Sequence, residues 1–366
     1  MDNLQILRDE QHLCAVLDIP FSAEQMAAIT SPIGTPSVIV AGAGSGKTAV
    51  MAARIVWLVG TGQVQPGEVL GLTFTNKAAG EFGNRVRKAL EDLARDSGIA
   101  RFLDERGEPT ISTYHSYAGS LISEHGLRLG IETDLRITSD ASRFQRVTRV
   151  VQNYRGPLLH VSTDMPTTVN NVMDLDGELS EHLITPEALR TFDEELRVEL
   201  AADPKPQKIH REATETSLRR TELSYLVGAY RDAKRVAGVM DFSDQMAWGA
   251  QLAMSCPEVG ESERERFKIV LLDEYQDTSV AQRELLQAIY SGRDVECGRG
   301  HPITAVGDPT QAIYGWRGAA ANNLADFLEH FPDAEGATGI AHSLSVSRRC
   351  GAQILEVANT LAAPYY

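Results

Sequence analysis

This sequence predicts an α/β fold: a parallel sheet covered by helices on both faces and carrying a mainly helical insertion. Three observations lead there. Five short apolar runs, Ser37–Val40, Val69–Phe74, Thr110–Tyr114, Phe267–Leu272 and Ile303–Val306, alternate with amphipathic helical stretches. Near-continuous apolar strands of this kind belong to sheets buried on both faces. A glycine-rich turn ending in Lys-Thr joins the first run to a helix, the strand–loop–helix order of a phosphate-binding unit. From about Ser116 to about Met240, strand signals thin out and helical patterns such as Leu218–Val236 take over, with a break at Asp203-Pro-Lys-Pro206.

The bulk numbers agree with that architecture and narrow the function. The chain has 366 residues, 43% hydrophobic and 23% charged, enough for two or three domains with a sizeable core. A net charge of -15 argues against a protein that coats nucleic acid through one broad basic face. A local groove can still be basic, and Lys77, Arg85, Arg87 and Lys88 against Glu81 supply one candidate patch. Cys14, Cys256, Cys297 and Cys350 form no C-x-x-C pair, so a zinc or iron–sulfur site has no support. Scattered single cysteines, the lack of a leader pattern at the N-terminus and the lack of an apolar run of spanning length lead us to expect a cytoplasmic protein without a membrane partner.

In parallel sheets, ligands bind past the carboxyl ends of the strands, so the residues after each run matter as much as the run itself. After the first come Ala41, Gly42, Ala43, Gly44, Ser45, Gly46, Lys47 and Thr48, which open a helix running toward Gly60. Glycines let backbone N–H groups converge on phosphate oxygens, and the helix N-terminus adds partial positive charge. Lys47 would reach the β- and γ-phosphates of ATP, and Thr48 would ligate Mg²⁺. After Leu272 comes Asp273-Glu-Tyr-Gln-Asp277. There one carboxylate, Asp273, suits a metal partner, and the next, Glu274, suits a catalytic base. After Val306 come Asp308 and Gln311, placed to sense a γ-phosphate, and then Tyr314, Trp316 and Arg317. Aromatics beside an arginine in a glycine-containing loop suit base stacking. By residue type alone, core packing is the more ordinary role for Tyr314 and Trp316, as a core or surface position is for His115.

The motifs LTFTNKAA (Leu72–Ala79), TYHS (Thr113–Ser116), DEYQD (Asp273–Asp277) and VGDPTQAIYGWRGA (Val306–Ala319) resemble, in order and spacing, the signature set of UvrD/Rep/PcrA-type superfamily 1 DNA helicases. Phe21-Ser-Ala-Glu-Gln25 is similar to the family's Q motif, and Met240-Asp-Phe-Ser-Asp244 to the segment before its acidic strand. Leu344-Ser-Val-Ser-Arg-Arg349 stands where the family has Asn-Tyr-Arg. Two departures are visible: Ser347 and Arg348 replace Asn-Tyr, and Ala49 stands where an arginine is frequent.

The resemblance implies a RecA-like P-loop NTPase domain in two parts, residues 1–115 and 245–340. It also implies a helical insertion over 116–244 and the start of a second RecA-like domain over 341–366. It implies that Gln25 reads adenine. Phe74, Thr75, Asn76, Thr113 and His115 would line a single-strand channel, Tyr314 and Trp316 would be stacking platforms, and Arg349 an arginine finger. The implied activity is ATP-dependent translocation on single-stranded DNA and unwinding at duplex junctions, with 3′-to-5′ polarity, in repair or recombination.

The runs Met51–Val59 and Glu68–Thr75 resemble the UvrD-like subunits of actinobacterial helicase–nucleases, which implies a helicase–nuclease partner subunit. Two rivals stay open at this point: a non-catalytic, ATP-gated DNA-binding subunit of such a complex, and an ATPase acting on RNA.

Overall fold

The computed structural model describes residues 6–98, 107–132, 135–205, 207–315, 318–319 and 322–363. The chain forms two compact units, residues 1–117 with 250–366, and residues 118–249. It enters the second unit within the helix Tyr114–His125 and leaves it within the helix Phe242–Ser255.

The first unit is built on a six-stranded sheet of β1 (Ser37–Ala41), β2 (Val69–Thr73), β3 (Thr110–Thr113), β6 (Ile269–Leu272), β7 (Ile303–Gly307) and β8 (Ile340–Leu344). Their order is β3-β2-β6-β7-β1-β8, and every pairing is parallel. β2, β6 and β7 are buried along their whole length, which is why they read as unbroken apolar runs rather than as alternating ones. The helix Lys47–Gly60 buries Val50, Met51, Ile55, Val56 and Val59. The helix Asn76–Ser97 buries Phe82, Val86, Ala89, Leu90 and Leu93 at helical spacing. It starts where the Thr75 hydroxyl accepts from the Ala78 N–H at 3.1 Å and stops at left-handed Gly98.

A buried arginine braces this core. Arg54 is 1% exposed. It donates to the carbonyls of Ala28, Ile29 and Ser31 and to the Thr304 hydroxyl, tying the phosphate-loop helix to the turn after helix Ala23–Ile29. Burial lowers its pKa to about 10.

The edge strand β8 was not among the runs expected from sequence. Its residues alternate between half-buried and exposed before Leu344, as an edge strand allows. Residues 341–344, expected to open a second domain, therefore lie in this same sheet beside β1.

The second unit is helical, with helices Asp140–Asn153, Met165–Glu181, Pro186–Ala201 and Lys208–Val236. The last begins ten residues before the run read from sequence. The core of this unit gathers Val147, Val169, Val172, Leu179, Leu226, Val227 and Tyr230. A two-stranded parallel pair, β4 (Arg136–Ile137) with β5 (Val239–Met240), was too short to register in the sequence.

Lys234, 2% exposed, is the charged centre of the unit. Its ammonium donates to Asp176 at 2.8 Å, Asp241 at 3.1 Å and Asp244 at 2.7 Å. Three clustered carboxylates have the arrangement of a cation site, and here the cation is the lysine. Burial alone would lower the Lys234 pKa, but the three carboxylates outweigh it and hold it raised. Arg143 also pairs with Asp241, and Arg231 with Asp176.

Candidate nucleotide and nucleic-acid site

The sequence motifs that follow β1, β2, β3, β6, β7 and β8 leave the sheet at its carboxyl end, the rim where parallel sheets bind ligands. Ala41 closes β1, and Gly42 to Gly46 turn the chain into the helix that begins at Lys47. Gly44 (φ 79°) and Gly46 (φ 90°) are left-handed, a conformation open to glycine at little cost. The Ser45 hydroxyl donates to the Gly42 carbonyl at 2.8 Å and closes the loop on itself. The Lys47 ammonium stands 3.5 Å from Glu274 Oε2. Thr48 follows in the first turn, half-buried.

The acids come from the exit of β6. Asp273 is 5% exposed, and its N–H donates to the Leu72 carbonyl of β2 at 2.8 Å. Burial, and then the Glu274 charge, push its pKa up to about 6. The same two causes raise Asp277 to about 6. Glu274 has φ 51°, a left-handed backbone that costs a non-glycine residue roughly 1–2 kcal/mol. Such outliers persist where surrounding structure holds them and concentrate at functional sites. An ammonium 3.5 Å from one carboxylate, with two more of raised pKa beside it, is an arrangement suited to accept phosphate oxygens and a divalent cation. A buried carboxylate whose pKa is raised gains most when a cation arrives. Asp273 and Thr48 have the oxygen donors that Mg²⁺ prefers.

At the exit of β7, Asp308 is buried and fully engaged. It accepts from the Thr310 hydroxyl at 2.6 Å and from the Gln311 side-chain amide at 2.6 Å. Gln311 is thus held beside the phosphate-loop rim by Asp308. Gly42 lies at the same place, since a Cβ there would sit 4.0 Å from Asp308 Oδ2.

Tyr314 stacks on Phe74 from the exit of β2, with ring centroids 5.3 Å apart and planes 20° from parallel. Thr75 and Asn76 are exposed beside Phe74. Thr113 is buried and accepts from the Ser116 N–H at 3.1 Å, and His115 is half-buried. The structure therefore brings the β2 and β7 motifs together through one aromatic pair. Trp316 and Arg317 lie outside the described residues. Of the basic patch expected on helix Asn76–Ser97, all four residues are exposed. Two of them are neutralised locally: Lys77 lies 3.8 Å from Glu81, and Arg87 lies 2.7 Å from Glu108.

Residues Ser345–Arg349, leaving β8, lie along the phosphate loop. Ser347 Oγ donates to the Ala43 carbonyl at 2.9 Å, and the Arg348 N–H to the Gly44 carbonyl at 2.8 Å. A Cβ on Gly44 would meet the Arg349 Cβ at 2.5 Å, so Gly44 lets Arg349 approach. Arg349, expected as a finger from a second domain, thus reaches the loop from the edge strand of this sheet. Gln25, 4% exposed, donates to the Ser45 carbonyl at 2.9 Å.

Three features of the site escaped the sequence reading. Gln276 donates to Glu274 and Asp277 and accepts from the Asp308 N–H, each at 3.1 Å. Its place inside the acidic motif was the available signal. The Tyr114 hydroxyl is buried without a hydrogen-bond partner among the described residues. Burial raises its pKa well above the usual phenol value, and Tyr275 and the acids Asp273, Glu274 and Asp277 add to the rise. Arg348 donates to Gln25 Oε1 at 3.0 Å, a contact across 323 residues that no local pattern announces.

Residues 21–332 match the family described as UvrD/REP helicase N-terminal domain. DNA helicase II of Haemophilus influenzae is 27% identical over 340 residues, covering 93% of this chain and 40% of that protein. ATP-dependent DNA helicase UvrD1 of Mycobacterium tuberculosis is 31% identical over 333 residues, covering 90% and 38%. ATP-dependent DNA helicase PcrA of Staphylococcus aureus is 30% identical over 313 residues, covering 86% and 36%. The chain spans 36% to 40% of the length of these relatives. Among the described residues, no helix is long and apolar enough to cross a membrane.

Proposed function

The chain belongs to the UvrD/REP helicase family, and on that premise we propose that it is the ATP-binding part of a DNA helicase that steps along single-stranded DNA. The observation that carries this reading is the shared rim. Lys47 faces Glu274 at 3.5 Å on one part of it, and Phe74 stacks on Tyr314 on another. A nucleotide-handling cluster and a base-stacking platform thus rise from strands of one sheet.

The division of labour follows from the contacts. The β- and γ-phosphates draw the Lys47 ammonium to themselves. Glu274, relieved of that partner, orients the attacking water and takes its proton. Thr48 and Asp273 would hold Mg²⁺, which when bound supplies charge neutralisation between the phosphates. Gln311 and Arg349 stand at the γ-phosphate end. Gln25 faces the base, and Gly42 to Gly46, with Ala41 and Ala43, cradle the phosphates. On the nucleic-acid side, Tyr314 and Trp316 stack bases, Phe74, Thr75, Asn76, Thr113 and His115 line the channel of the strand, and Arg317 contacts its backbone. The setting we assign is cytoplasmic repair or recombination, with 3′-to-5′ movement.

The deciding experiment measures Mg-ATP turnover by the full-length protein with single-stranded DNA, with matched RNA and with neither, alongside unwinding of duplexes bearing a 3′ or a 5′ tail. Stimulation by DNA and unwinding from the 3′ tail are expected. Turnover that ignores DNA, or answers equally to RNA, sinks the DNA-motor reading.

A further inference from the structure

The base end of this nucleotide site differs from a simple glutamine reader. Gln25 is fixed on three sides. Its backbone N–H donates to Ser22 Oγ and its Oε1 accepts from the Ser22 N–H at 3.0 Å, the reciprocal cap of helix Ala23–Ile29. Its Nε2 donates to the Ser45 carbonyl at 2.9 Å. Arg348 then donates through Nη2 to Gln25 Oε1 at 3.0 Å and to the Pro20 carbonyl at 3.2 Å.

An amide oxygen has two lone pairs, and on Gln25 both are taken. A glutamine reads adenine by accepting from its amino group while donating to N7. With Oε1 covered, what the site still offers is donors: the second Nε2 hydrogen and the Nη1 and Nε hydrogens of Arg348. Guanine presents two acceptors, O6 and N7, on the corresponding edge. A bare Gln25 oxygen would repel guanine O6, whereas a guanidinium lying over that oxygen removes the repulsion and supplies partners.

Resting on the nucleotide-site reading above, we propose that Arg348 opens this base subsite to guanine as well as adenine, so that the chain accepts purine nucleoside triphosphates rather than ATP alone. Arg348 is exposed and hangs from the segment after β8, so its substitution leaves the sheet and the phosphate loop intact. It acts on selectivity and not on the phosphates.

The test is equilibrium binding of Mg-ATP, Mg-GTP and inorganic tripolyphosphate to the wild-type protein, Arg348→Ala and Arg348→Lys. Wild type should bind GTP at least as tightly as ATP, because the donors match both O6 and N7 of guanine but only N7 of adenine. Arg348→Ala uncovers Gln25 Oε1, and the GTP-to-ATP preference should fall by about tenfold or more. Tripolyphosphate, which has no base, should bind equally to all three proteins. Arg348→Lys, which keeps the charge without the planar fork, should fall between the other two. A wild-type protein that rejects GTP by more than about tenfold, or an Arg348→Ala ratio equal to wild type, overturns the inference while leaving the phosphate site standing. Failure of all three ligands to bind wild type overturns the nucleotide-site reading, and this one with it.

Discussion

Two lysines in this chain each stand among three acidic side chains: Lys47 at the phosphate loop, beside Asp273, Glu274 and Asp277, and Lys234 in the helical unit, beside Asp176, Asp241 and Asp244. The ingredients match and the construction does not. Lys234 reaches all three partners at 2.7 to 3.1 Å and is almost sealed from solvent. Lys47 reaches one partner, at 3.5 Å, and that partner, Glu274, keeps 36% of its side chain exposed. The Lys234 cluster matches its three carboxylates with Lys234, Arg143 and Arg231, although burial still raises Asp244 to about 6. The Lys47 cluster sets one lysine among its carboxylates, and two of them are raised to about 6. A buried group of charges becomes a site when its own cation leaves it unsatisfied, and becomes a structural knot when the cation completes it.

That contrast predicts which property each substitution damages. Glu274→Gln should cut ATP turnover by about 10²–10⁴-fold while leaving Mg-ATP binding near wild type, since it removes the base and keeps the shape. Turnover at the wild-type rate would move the base elsewhere.

Lys234→Met should do the reverse. It removes the cation shared by three buried carboxylates, leaving Arg143 on Asp241 and Arg231 on Asp176 but taking the ammonium from Asp244, and should cost about 3–5 kcal/mol of folding stability, read as a lower urea midpoint. Lys47→Ala should change stability by less than about 1 kcal/mol, as expected for a loose, partly exposed pair. Equal losses in the two lysine variants would erase the distinction.

A pH titration probes the Lys47 cluster through an Asp273 variant, since Asp244 of the other cluster is also raised to about 6. The folded pKa of Asp273, about 6, lies above the unfolded value of roughly 3.9. The fold therefore holds this proton more tightly than the unfolded chain does. The stability so contributed is complete below about pH 4 and is lost as pH rises through 6, roughly 2–3 kcal/mol in all. Asp273→Asn should flatten that part of the stability–pH curve. Saturating Mg-ATP should flatten it in the wild type, because a cation replaces the proton. A curve unchanged by Asp273→Asn would show that the carboxylate is not strained by its burial.

The smallest effect concerns the aromatic pair. Tyr314→Ala should weaken single-stranded DNA binding by about 1–3 kcal/mol, with little dependence on base sequence and little change in salt slope. Wild-type affinity would reduce the Phe74–Tyr314 stack to core packing.

What the sequence disclosed sorts along the same line. The phosphate loop, Asp273 and Glu274 were legible because each is a short motif at the end of an apolar strand, and parallel strands announce themselves by continuous burial. The Lys234 knot was not legible, because Asp176 lies 58 residues away along the chain and a lysine in a charged helix reads as solvated. The strand β8 was missed because only Leu344 is fully buried in it. The contact between Arg348 and Gln25 was missed because a pair of adjacent arginines carries no hint of a partner 323 residues earlier.

Gln276 has one donating end and one accepting end. The donating end meets Glu274 and Asp277, and the accepting end meets the Asp308 N–H. Turned over, the amide would set its oxygen against two carboxylates and its NH₂ against another N–H, losing every bond it makes. It therefore fits one way round, like a key with a single orientation. Gly307 guards that fit, for a Cβ there would strike Gln276 Oε1 at 2.3 Å. The exits of β6 and β7 are pinned to each other through that one side chain. Whatever moves Glu274 pulls on the strand end that leads to Tyr314, so a change of charge at Lys47 and Glu274 has a mechanical address on the side proposed to hold DNA.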